Sequence, residues 1–143
     1  MRILRKFAGY SALERRLVVK AWFTLIAVRV LLWVAPYRWI EARVFNRPAP
    51  PSAAPPTVSP ADIAFAVTRA SKLVPFATCL TQALAGGFLI RRAGSHAIIH
   101  FGVARGEAGF KAHAWLESDG GILIGGSEAA AYLPLTRASD TRR

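Results

Sequence analysis

The chain has 143 residues, 53% of them hydrophobic, and a formal net charge of +11 from 19 Lys and Arg against 8 Asp and Glu. That much apolar material excludes a wholly disordered chain, and the length allows one compact domain with an appendage. The single cysteine excludes an internal disulfide and a four-cysteine zinc site, while the basic balance points to nucleic acid, an anionic membrane surface or an acidic partner without choosing among them.

Residues 1–46 form the first segment. Its run from Val18 to Val34 is apolar apart from Lys20 and Arg29. A helix that spans a bilayer needs roughly 20 apolar residues; this run is shorter and carries Arg29 in its middle. Val19, Trp22, Phe23, Ile26, Val30 and Trp33 fall on one stripe at helical spacing, which is read as the face that packs on the domain or on a partner. Pro36 ends this helix, and a shorter one follows from Tyr37 to Val44. No small-residue cleavage site follows the apolar run, so the expected location is cytoplasmic, with peripheral membrane contact as the alternative role for the helix.

Residues 47–59, RPAPPSAAPPTVS, are too rich in proline for helix or central strand and read as a semi-rigid linker. The third segment, residues 60–143, carries the chemistry. Ser59, Pro60 and Asp62 make a helix start, with the helix over Ala61 to Leu73 and Pro75 stopping it. A second helix begins at Thr78 or Cys79 and ends in Arg91 and Arg92 before Gly94. Gly86 and Gly87 inside it point to close packing. The period then changes to two. HAIIHFGVAR and GFKAHAWLE read as strands, SDGG as a turn and ILIGG as a third strand. Helices followed by an antiparallel meander make an α+β fold.

Cys79 is the one thiol. At a helix start it meets the positive end of the helix dipole and free backbone N–H groups, which favour a thiolate and can hold an oxyanion; the bland alternative is a small core residue. His113 sits on the strand face opposite Phe110, Ala112 and Ala114, and a helix packed on its face would bring Cys79 beside it. His96 falls at a turn, and His100 has the weaker context. Trp115 shares the His113 face and could wall the imidazole from water. For a third group, Glu117 is about 13 Å along the strand at the usual rise, Asp119 serves the turn, and Asp140 lies in a polar tail. Glu128 is the preferred candidate, with a backbone carbonyl, the Gln82 amide or no third group as alternatives. No metal or other cofactor is called for, and no nucleic-acid motif accompanies the scattered basic residues.

The runs ATCLTQALAGGFLIRRAG, IIHFGVARG and GFKAHAWLESDGGILIGG, together with LIAVRVLLWVAPYRWIEARV, resemble the B protein of lasso-peptide biosynthesis, a cysteine peptidase of transglutaminase-like or papain-like core. The resemblance implies that Cys79 is the nucleophile and His113 the base. Many members of that family carry an Asp about where Gly125 stands here, so the third residue does not transfer. It further implies removal of the leader from a ribosomally made precursor. The partners would be that precursor's leader, a separate leader-recognition protein (too few residues precede the apolar helix to hold one) and an asparagine-synthetase-like cyclase.

Overall fold

The computed structural model describes residues 9–44 and 58–137. Most of the proline-rich linker, and the tail with Asp140, lie outside the described residues.

The first helix, α1, runs Ala12–Val34. Ser11 and Glu14 close a reciprocal cap: the Ser11 hydroxyl accepts from the Glu14 N–H at 3.2 Å, and the Glu14 carboxylate accepts from the Ser11 N–H at 2.7 Å. Pro36 disfavours helical backbone at Ala35, which is extended (φ −129°, ψ 142°) and ends the helix. A second helix, α2, follows over Tyr37–Val44 and buries Ile40.

The buried face of α1 differs from the expected one. Val18, Ala21, Leu25 and Val28 enter the core. Val19, Phe23, Val30 and Trp33 face outward, and Trp22 and Ile26 are half-buried. The helix is apolar nearly all round, so periodicity leaves the choice of face open; packing against the next helices decides it. Arg29 sits midway with its guanidinium 5.3 Å from the Trp33 ring centroid and 5.9 Å from that of Phe76.

Helix α3 spans Pro60–Ser71, with Ser59 as N-cap and Pro60 in the first turn. Helix α4 spans Cys79–Arg92. Both match the expected starts. A Cβ on Gly86 would fall 2.6 Å from Ile124 Cδ1 and 2.9 Å from Leu116 Cδ2, so this glycine lets α4 lie directly against the sheet.

The sheet contains β1 (Ile98–Gly106), β2 (Gly109–Ser118), β3 (Gly121–Ile124) and β4 (Leu133–Arg137), with a one-turn helix α5 (Gly126–Ala129) before β4. Its order is β3-β2-β1-β4, and every pairing is antiparallel. The chain is therefore α+β as expected, but not a simple three-strand meander. After β3 it crosses to add β4 on the other side of β1. Pro134 weakened the strand signal there, and an edge strand tolerates a proline. Ile99, Ala114, Leu116 and Ile124 join residues of α1, α3 and α4 in one continuous core.

Candidate active site

Cys79 is the first residue of α4. Thr78 caps that helix: its hydroxyl accepts from the Thr81 N–H at 3.3 Å and lies 3.0 Å from the Thr81 hydroxyl. The first N–H groups of any helix lack intrahelical acceptors, so the half-buried Cys79 thiol stands among donors at the positive end of a 14-residue helix. The approach to it is a tight turn. Phe76 adopts φ 59°, a left-handed conformation rare for an aromatic residue, and Thr78 N–H donates to the Phe76 carbonyl at 2.8 Å. Gln82, one turn along α4, donates from Nε2 to the Ala77 carbonyl at 2.9 Å. It braces this turn and makes no hydrogen bond to His113.

His113 does not sit beneath α4. The helix packs on the opposite sheet face, that of Leu116 and Ile124, which corrects the expectation that a helix covers the His113 face. The ring reaches Cys79's cleft because β3 is short. It pairs with β2 only from Leu116 to Ser118, and beyond it the chain leaves the ladder at Gly125, beside His113. Cys79, Gln82, His113, Ile124, Gly125 and Glu128 line one cleft of about 750 Å³. No direct hydrogen bond joins Cys79 to His113.

The imidazole is held firmly. It is 9% exposed, and its Nε2 lies 2.9 Å from the Gly125 carbonyl oxygen. A carbonyl only accepts, so Nε2 carries the hydrogen of this bond and Nδ1 is left for other partners. Tyr132 stacks on one side at 4.9 Å between centroids and Trp115 at 6.1 Å. Gly102, across from His113 on β1, makes room for them: a Cβ there would fall 2.8 Å from the Trp115 ring and 2.9 Å from Tyr132 Cβ. His100 continues the column, stacked on Trp115 at 5.6 Å, and its Nε2 meets Glu117 Oε2 at 2.7 Å.

Glu128, on α5, places Oε2 4.0 Å from His113 Nδ1 and is 67% exposed. It lines the cleft beside Nδ1, and not at the nitrogen bound by the Gly125 carbonyl. The Gly125 carbonyl fills that second position. Its backbone has φ 78°, and a Cβ on it would come within 3.0 Å of the Ala114 carbonyl and 3.1 Å of His113 Nε2. Glycine is what lets the main chain approach the ring so closely. The sequence signal for it was the glycine pair after the third strand; Tyr132 and the strained Phe76 left none.

Among the described residues no cluster of three His, Cys, Asp or Glu side chains could hold a metal ion. The arrangement is a thiol at a helix N-terminus facing a cleft shared with an oriented imidazole. That set can form and resolve an acyl-thioester.

A family model described as the transglutaminase-like superfamily matches residues 24–137, which include α2 to β4 and every residue of this cleft. Neither the curated proteins nor the solved structures compared with the chain give a match.

Proposed function

Since the chain belongs to the transglutaminase-like superfamily, whose fold supports a cysteine-based hydrolase or transferase, we propose that it is a cysteine peptidase that removes the leader from a lasso-peptide precursor. Cys79 is its nucleophile and His113 its base. The observation that carries this reading is the shared cleft, with His113 Nε2–H committed to the Gly125 carbonyl and Nδ1 outside that bond.

His113 Nδ1 takes the proton from the Cys79 thiol, and the sulfur attacks the scissile carbonyl. N–H groups at the start of α4 donate hydrogen bonds to the developing oxyanion. As the C–N bond breaks, the His113 imidazolium returns the proton to the leaving amine. The acyl group then sits on Cys79 as a thioester. Water, deprotonated by His113, completes hydrolysis; an amine in its place gives acyl transfer by the same steps. Throughout, the Gly125 carbonyl accepts from Nε2–H and is drawn more strongly when the ring is positive. The leader, a separate leader-recognition protein and a macrolactam cyclase are the proposed partners. The test combines purified protein, recognition protein and precursor, and follows leader release by mass spectrometry. Release that is lost in Cys79→Ala supports the reading; equal release by that variant ends it.

A second reading comes from α1. This helix is long and apolar enough to cross a membrane by length and composition, yet Val18, Ala21, Leu25 and Val28 belong to the core. Moving the helix into a bilayer would strip that core, so it is suited to lie on a membrane rather than span one. Its outer face presents Phe23 (62% exposed) and Trp33 (72% exposed), with Arg15, Arg16 and Lys20 exposed toward one end and Arg38 and Arg43 beyond the other. The chain would then hold a maturation complex on an anionic surface. Flotation with phosphatidylglycerol liposomes tests this, paired with iodoacetamide labelling at near-neutral pH. Strong flotation with an unreactive Cys79 favours a non-catalytic scaffold; no flotation removes the membrane role.

A further inference from the structure

A second depression of about 410 Å³ adjoins the Cys79–His113 cleft and shares Thr68, Ile122 and Leu123 with it. The two form one trough between α3 and β3. β3 is the outer strand of the sheet and pairs with β2 alone. An extended peptide laid along such an edge gains main-chain hydrogen bonds whatever its sequence.

Sequence selection would come from the adjoining depression, where α3 and the residue after it present Phe65, Arg69 and Lys72. The Arg69 guanidinium lies over the Phe65 ring, 5.0 Å from its centroid. Neither Arg69 nor Lys72 pairs with a carboxylate among the described residues, whose ion pairs are His100–Glu117 and His113–Glu128. The acid on the same helix, Asp62, is engaged at the cap: it accepts from the Ser59 hydroxyl at 2.8 Å. The trough is thus electrostatically polar. Glu128 lines the Cys79 cleft, and Arg69 and Lys72 line the adjoining depression.

We propose that this trough is a substrate subsite for an extended peptide bearing an aspartate or glutamate beside the bond presented to Cys79. An apolar neighbour of that acid packs between Phe65 and Ile122. The inference rests on the peptidase reading of the cleft, and binding can be separated from turnover.

The experiment immobilises the full-length Cys79→Ala chain and passes over it fluorescein-labelled octapeptides randomised position by position. Retained peptides should be enriched in Asp and Glu at one or two adjacent positions. Anisotropy on a retained peptide should show its Glu form binding about tenfold tighter than its Gln form, and its Lys form weaker still. Arg69→Glu with Lys72→Glu should abolish the acid preference, while the milder Arg69→Gln with Lys72→Gln pair shows by circular dichroism that the fold tolerates these positions. No acidic enrichment, or an enrichment that survives the charge-reversed variant, overturns the subsite. If Cys79→Ala selects acidic peptides while the parent cleaves none of them, the subsite stands and the peptidase reading falls. If the parent cleaves without regard to charge, the reverse holds.

Discussion

Helices α1 and α4 are built from similar apolar residues and share one core, but they are used differently. α4 buries most of its length, from Thr81 to Ile90, and exposes chemistry at one end, where Cys79 meets the cleft. α1 buries a narrow stripe and leaves a second apolar stripe on the outside. An apolar helix therefore does not declare its own inside. Its neighbours do, and α1 keeps a face that the domain does not need.

The sharpest way to break that comparison is to truncate each face of α1. Leu25→Ala, from the buried stripe, should cost about 2–5 kcal/mol in denaturant unfolding. Phe23→Ala, from the outer stripe, should change stability by less than about 0.5 kcal/mol. Equal losses would mean that both stripes are internal. Next in size is Gly125→Ala. It forces a side chain into φ 78° against the Ala114 carbonyl and the His113 ring, so a destabilisation of about 1–3 kcal/mol is expected. If the carbonyl orients the imidazole, kcat should also fall with little change in KM. A variant with normal kcat would remove Gly125 from the mechanism.

Thr78→Ala removes the cap of α4 and should cost about 1 kcal/mol by thermal or denaturant unfolding. The smallest effect belongs to Tyr37. Burial, with the Glu41 charge second, pushes its hydroxyl up to about 12. The folded state favours the neutral phenol, so its contribution is complete below about pH 10 and is lost as pH rises from about 10 to about 12. The stability of Tyr37→Phe should decline less than the parent's across that window.

Much of this was legible in the sequence wherever local chemistry decides structure. Ser59-Pro60 and Thr78 mark helix starts, and the alternation through Phe110 and His113 marks a strand, because caps and pleats are set by residues close in sequence. The buried face of α1 was not legible, since Val18, Ala21, Leu25 and Val28 differ little in character from Val19, Phe23, Ile26 and Val30. Nor was β4, where Pro134 spoils the strand pattern. The third position of the site was hidden for a different reason. A search for an acid led to Glu128, whereas the group fixing the ring is a main-chain carbonyl, and every residue has one. Only the left-handed glycine that brings it close leaves a trace, and that trace resembles an ordinary turn.

The central claim is that Cys79 and His113 form and resolve an acyl-thioester. Rapid mixing with p-nitrophenyl acetate, read by nitrophenolate absorbance and intact-protein mass, tests it most directly. The account predicts a nitrophenolate burst near one equivalent with an acetyl group on Cys79, followed by steady turnover. His113→Ala should slow the burst by about a hundredfold or more, and Cys79→Ala should abolish it. A burst no faster than that of the chain unfolded in guanidinium, or one untouched by His113→Ala, would contradict the account.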